Sequence, residues 1–138
     1  MSKDQENIFM GEWSPEEWVD YEKSHLNKLK PLSSDNNGIN IAIKYSRKVL
    51  KTHSTSFFIV TRFLPKYMRD EVELVYGSVR FPDEIVDSFN ISDIEKKSLL
   101  KNWRHKYRIA LDTKSFDESL AKGVPLLLAG FTEVVKKY

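Results

Sequence analysis

Val72-Glu73-Leu74-Val75-Tyr76-Gly77-Ser78-Val79-Arg80-Phe81-Pro82-Asp83-Glu84-Ile85-Val86-Asp87 is the stretch on which the fold turns. Val72, Val75, Tyr76 and Val79 recur at intervals of three and four, the spacing of one face of an α-helix. The same face continues into Arg80, Asp83 and Asp87, so a stripe that starts apolar ends charged. Tyr76, Arg80, Asp83 and Asp87 are therefore expected on one helix face, turned inward across a bundle. Four residues apart, the Asp83 and Asp87 carboxylates stack roughly 6 Å apart along the axis. Such a pair leaves room for hydrated Mg²⁺, which takes carboxylate oxygens and keeps other positions for phosphate. Arg80 lies one turn earlier, and its guanidinium can fork onto a phosphate that the metal also holds. An inward carboxylate pair with no partner is costly. A solvated face avoids that cost and stands as the alternative, since D-x-x-x-D is frequent on surface helices. Pro82 removes one helix hydrogen bond and crowds the Ser78 carbonyl, so a kink is expected there.

Outward from this helix, almost everything reads as helix. Ser14-Pro15-Glu16-Glu17 is a helix start, with Ser14 as cap, Pro15 in the first turn and Glu17 at the capping-box position. That helix is expected to run to about Lys30, before Pro31. Leu32–Gly38 reads as a loop with Asp35-Asn36-Asn37-Gly38 as its turn. A second helix spans about Ile39 to Lys51, with Ile39, Ile43, Ser46 and Leu50 inward. Thr52–Phe63 suggests a short helix holding Phe57, Phe58, Val60 and Thr61, and Pro65 starts the long one. Ser92-x-x-Glu95 opens a helix through about Leu111 with Leu100, Trp103 and Tyr107 inward. Pro125 begins a last helix with Leu128, Phe131 and Val135 inward. There is no internal repeat, and no strand-like alternation with hairpin turns. The expected class is all-α, in two parts: an N-terminal helical extension and loop over residues 1–38, and a helical domain over 39–138.

The bulk numbers narrow the function. With 138 residues one domain is expected, and 41% hydrophobic residues suffice for a core. Twenty-two basic against 20 acidic residues give no general reason to expect nucleic-acid binding. The absence of Cys excludes disulfides, thiolate metal sites and cysteine nucleophiles, and is compatible with a cytoplasmic protein. Met1–Trp13 lacks the apolar core of a secretory signal. The longest apolar run, Val124–Phe131, is far short of the roughly 20 residues that span a bilayer. His53 beside Ser54 and Ser56 invites a nucleophile reading, but no G-x-S-x-G elbow supports it. On its own, His53 reads as a cap for the next helix.

Tyr76-x-x-x-Arg80-x-x-Asp83-x-x-x-Asp87 resembles the first aspartate-rich motif of the squalene/phytoene synthase family. His53-Ser54-Thr55-Ser56-Phe57 resembles that family's H-S-x-S-F segment. Phe63-Leu64-Pro65 and Arg69 resemble the L-P-x-x-x-R stretch after it, and the distance from His53 to Arg80 agrees. The resemblance covers about Ile39 to the end, with a fainter echo in Val124-Pro125-Leu126. It implies an all-α helical bundle, roughly the N-terminal half of an isoprenoid-synthase-type fold. It implies a prenyltransferase of isoprenoid or carotenoid biosynthesis that joins two prenyl diphosphates, farnesyl or geranylgeranyl, head to head. The family scheme passes through a cyclopropylcarbinyl diphosphate to a C30 or C40 product. Asp83 and Asp87 would bind Mg²⁺ (or Mn²⁺), and with Arg80 they form the implied catalytic set. His53, Ser54, Thr55, Ser56, Tyr76 and Arg80 would line the substrate, hydroxyls and imidazole near the diphosphate. Nothing in the residues bears on an NADPH-dependent step.

Three departures accompany the resemblance. Pro82 directly precedes the first aspartate. Glu84 stands where the family often has a second Asp. The family's second aspartate-rich motif is absent: Asp117-Glu118 does not substitute for it. The chain is thus expected to be a fragment, half of a split protein with a complementing C-terminal half, or a degenerate relative. Alone, it is expected to make no product and to leave the faces around Phe57, Val79 and Phe131 partly bare. The alternative is a non-catalytic all-α interaction domain that merely retains the first motif. Lys97, Lys101, Arg104 and Arg108 form a basic stripe that suits a solvated face, or peripheral contact with anionic lipid. His25 and His105 read as surface residues, and Trp13, Trp18 and Trp103 as packing anchors.

Overall fold

The computed structural model describes residues 13–29 and 37–138, and seven helices are found among them. They are α1 (Pro15–Leu26), α2 (Asn37–His53), α3 (Thr55–Thr61), α4 (Lys66–Asp87), α5 (Asp93–Asp112), α6 (Phe116–Ala121) and α7 (Leu126–Lys137). The described residues hold no strand, as the all-α reading requires. The expected loop over Leu32–Gly38 falls largely outside the described residues, and α2 begins before the predicted Ile39. Pro82 lies inside α4, which runs on to Asp87. The short α6 went unread because its six residues are too few for an apolar period to show.

Local chemistry sets the boundaries. At α1 the Glu17 amide donates to Ser14 Oγ (3.2 Å) and the Ser14 amide to Glu17 Oε1 (3.1 Å), a reciprocal capping box. Ser92 and Ser115 accept the Glu95 and Glu118 amides in the same way at α5 and α6. Pro65 and Pro125 stand just before α4 and α7, where a missing N–H costs no helix bond.

Helices α2, α4 and α7 form the centre. Ala42, Tyr45, Val49 and Leu50 of α2 are buried against Leu74 and Ile85 of α4 and Leu126–Ala129 of α7. Two glycines permit this approach. A Cβ on Gly77 would lie 2.9 Å from Leu127 Cδ2, and one on Gly130 2.7 Å from Leu74 Cδ2. The side of α4 that enters this core carries Glu73, Leu74, Gly77, Ser78, Glu84 and Ile85. This corrects the expected orientation: Val75 and Val79 are exposed, with Val79 at 51%. The valine stripe is a real face of α4, but the buried face is the one with small residues and paired acids. Apolar spacing alone could not separate two stripes on one helix, because small residues that allow close contact score poorly as hydrophobes.

The polar core of α4 is an ion-pair clamp. Glu73 is fully buried, and its two carboxylate oxygens accept from Arg47 Nε (2.7 Å) of α2 and Arg62 Nη2 (2.9 Å) beyond α3. Arg47 also reaches Asp70 Oδ1 at 3.3 Å. One carboxylate thereby ties α2 and the α3–α4 connection to α4.

Helix α1 packs into the same core. Trp13 and Trp18 are buried, as expected of packing anchors. The Tyr45 hydroxyl donates to the Trp18 carbonyl (3.2 Å), and the Leu126 amide donates to Glu22 Oε2 (3.2 Å). His25 is not a surface residue: it is buried, its ring tilted against Tyr45 at 4.9 Å and Nδ1 2.7 Å from the Tyr21 carbonyl. His105 is exposed, as are Lys97, Lys101, Arg104 and Arg108 of the basic stripe. Among the described residues, no helix is long and apolar enough to cross a membrane.

Burial raises the pKa of Glu22 above the ordinary carboxylate value, opposed only by the Leu126 amide. A folded pKa above the unfolded one means that this group favours folding most at low pH. That contribution is lost as pH rises through the folded value. Glu22→Gln, which keeps an acceptor for Leu126 and removes the buried charge, should raise Tm at neutral pH. The gap to the wild type should close as the buffer is taken below about pH 4. Melting curves at several pH values check this; a variant that melts lower at neutral pH would contradict it.

Candidate functional site

Arg80 sits at the junction of the two α4 faces. Its Nη2 lies 2.5 Å from Glu84 Oε1, one turn on, and Tyr76 stands one turn back on the same helix. Glu84 is 1% exposed, so the acid that turns inward here is Glu84. Burial pushes the Tyr76 phenol pKa up, and Arg80 opposes the shift. The Tyr76–Arg80–Glu84 line follows from i, i+4 spacing. That spacing is visible in the sequence, yet Glu84 was read only as a substitute for an aspartate.

His53 ends α2 beside this line. Its Nδ1 is 2.9 Å from the Val49 carbonyl, which can only accept. In the neutral ring Nδ1 thus carries the proton and Nε2 a lone pair. Trp18 stacks on the imidazole at 5.3 Å and Trp13 meets it edge-on at 5.0 Å. Burial lowers the His53 pKa; the Val49 hydrogen bond and Glu84 oppose this, and Arg80 adds to it. Buried His53 Nε2, Arg80 Nε and Glu84 Oε2 all lack a hydrogen-bond partner within the protein. Three unpartnered polar atoms in neighbouring residues are unusual in a packed interior, and each can take a water or ligand atom. The two indoles over His53 have no signal in the local sequence, because they reach it from α1 and the residue before its cap.

The remaining predicted residues are spread around this corner. Ser54 occupies the N-cap position of α3 without a side-chain capping bond, and Thr55 and Ser56 are exposed in the first turn. Asp83 and Asp87 are exposed on α4, turned away from buried Glu84. They share a side of the helix with the valine stripe, as their spacing implies, but that side is open rather than inward. Phe57 packs on Tyr76 (ring centroids 5.9 Å) and, with Val72, Val75, Val79 and Val134, lines an open groove of about 410 Å³. Val79 also borders a second hollow of about 350 Å³ that holds Asp83, Trp103 and Phe131. The faces around Phe57 and Val79 are bare, as expected.

Among the described residues, no three His, Cys, Asp or Glu side chains are grouped as a ready metal cage. Two exposed carboxylates one helical turn apart suit Mg²⁺ all the same. This ion keeps much of its water and is commonly held by one or two carboxylates together with substrate phosphates.

The family model described as squalene/phytoene synthase matches residues 50–138, more than half of the chain. The chain belongs to the squalene/phytoene synthase family. No curated protein and no solved structure matches it. The family is one of prenyltransferase-type enzymes of the head-to-head class that bind prenyl diphosphates. The all-α architecture agrees with the isoprenoid-synthase type of fold. In this squalene/phytoene synthase relative, α1 and most of α2 precede the matched segment, and both indoles over His53, Trp13 just before α1 and Trp18 within it, come from that preceding stretch.

Proposed function

We propose that the chain supplies one wall of a site for head-to-head condensation of two prenyl diphosphates, farnesyl or geranylgeranyl, in isoprenoid or carotenoid biosynthesis. The observation that carries this is the layout of α4. A groove lined by Phe57 of α3 and by Val72, Val75, Tyr76 and Val79 of α4 is followed along α4 by Arg80, Asp83 and Asp87. A prenyl diphosphate has the same two parts, a branched hydrocarbon chain and a polyanionic head. The groove takes the chain, by burial of apolar surface. Arg80 faces the head with the guanidinium edge that Glu84 leaves free. Asp83 and Asp87 would hold Mg²⁺, which when bound gives Lewis-acid stabilisation to the departing diphosphate, worth several kcal/mol. Ser54, Thr55 and Ser56 offer hydroxyls at the rim, where the start of α3 is open to solvent.

His53 adds a different capacity. Neutral, it presents an acceptor at Nε2; protonated, it donates to a diphosphate oxygen. The apolar walls keep water from a cation formed next to them. The groove is open on one side, so the full reaction uses a further wall, such as a complementing C-terminal half.

The test is calorimetric titration of the chain with farnesyl diphosphate, with and without Mg²⁺. Binding is expected only with Mg²⁺, and Arg80→Lys should weaken it about tenfold, since a point charge cannot fork onto phosphate while holding Glu84. Equal heats with and without the metal would refute the assignment. The exposure of Asp83 and Asp87 also favours a second reading, a non-catalytic interaction domain, for which no diphosphate binding is expected in either condition.

A further inference from the structure

Between α1, α4 and α5 lies a cavity of about 150 Å³ that plays no part in the reading above. Trp18, Tyr45, Phe81 and Trp103 contribute four aromatic rings to its wall, and exposed Asn102 stands at its mouth. The rings touch in series: Trp18 meets Phe81 edge-on at 5.1 Å, and Phe81 meets Trp103 at 4.8 Å. Val19, Leu99, Pro125 and Leu127 complete the apolar part of the wall, and Glu22 is its one ionisable acid. Its carboxylate accepts one backbone hydrogen bond, from Leu126, and among the described residues no Lys, Arg or His forms an ion pair with it. A half-buried carboxylate without a counter-charge, set among aromatic rings, is an incomplete arrangement. An apolar guest would leave the charge uncompensated, and an anion would be repelled.

We propose that this cavity is a binding site for a small organic ammonium ion, with Glu22 as counter-charge and the aromatic rings as cage. Ring quadrupoles attract a cation, and weakly hydrated alkylammonium groups lose little on leaving water. A metal ion is a poor fit, because one carboxylate and four rings cannot replace its water shell. The buried Trp18 indole N–H has no hydrogen-bond partner in the protein.

The probe is choline chloride, compared with 3,3-dimethyl-1-butanol, which has the same shape and hydroxyl but no charge. Titration of the full chain is followed by indole fluorescence, since Trp18 and Trp103 both line the cavity. The His53 proton resonances serve as a second readout, because Trp18 stacks on that ring. Choline is expected to bind saturably and at least tenfold more tightly than the alcohol. Glu22→Gln should remove that difference while melting no lower than the wild type, which separates loss of the counter-charge from loss of the fold. Trp103→Leu should weaken choline at least threefold. Equal binding of the two probes, no saturable choline response, or an unchanged choline affinity in Glu22→Gln would each overturn the proposal. No prenyl diphosphate or Mg²⁺ enters the experiment, so its failure leaves the prenyltransferase reading untouched, and the converse holds.

Discussion

Asp83→Ala and Asp87→Ala are each expected to weaken Mg²⁺-dependent diphosphate binding by at least tenfold. Where turnover can be followed, each should lower it by about two orders of magnitude, in line with the several kcal/mol that a Lewis acid contributes to charge separation. The same variants should leave the fold intact. Both side chains are exposed, and substitutions at such positions usually change stability by less than about 0.5 kcal/mol. This split between function and stability is the useful signature. A structural carboxylate such as Glu84, buried against Arg80, would shift both together. Calorimetry in the presence of Mg²⁺, with a thermal melt of each variant, tests the point. Wild-type binding by either alanine variant would end the role of Asp83 and Asp87 as metal ligands.

The largest expected effect on stability comes from the Glu73 clamp. Replacing both Arg47 and Arg62 by Met leaves a fully buried carboxylate with neither of its partners, a loss of about 3–5 kcal/mol for pairs of this kind. Glu73→Gln should cost less, because the two arginines are about one-third exposed and can turn to water. Urea unfolding of the three proteins gives the order: wild type, then Glu73→Gln, then the double arginine variant. If the glutamine variant were the least stable, the interaction would not be dominated by the buried charge. The clamp also bears on the site. It fixes the α3–α4 connection, and hence the position of Phe57 over Tyr76.

The elements that could be read from the sequence were those with local causes. Ser14, Ser92, Pro65 and Pro125 placed helix starts within a residue or two, because a cap or a missing N–H acts on its own turn. The motif from His53 to Asp87 led to the family, since its spacing is fixed by one connected stretch of chain. What escaped depends on contacts between distant segments. Which stripe of α4 faces the core is decided by Gly77 meeting Leu127 and by Glu73 finding Arg47 and Arg62. The burial of His25 comes from packing against Tyr45, and the indoles over His53 come from positions 35 or more residues earlier. No local pattern encodes such meetings. The apolar stripe of Val72, Val75 and Val79 was a correct period with the wrong partner assigned to it.

The hydrogen bond from Leu126 to Glu22 spans 104 positions of the chain. A contact of that separation closes a large loop, so its entropic cost falls on a late stage of folding. On a ribosome, α1 is among the first helices made, but its acceptor has no donor until the start of α7 has emerged. Hydrogen–deuterium exchange during refolding should therefore show α2 and α4 amides protected first and α1 amides last. Under native conditions the same order should run in reverse, with α1 amides exchanging before those of α2 and α4.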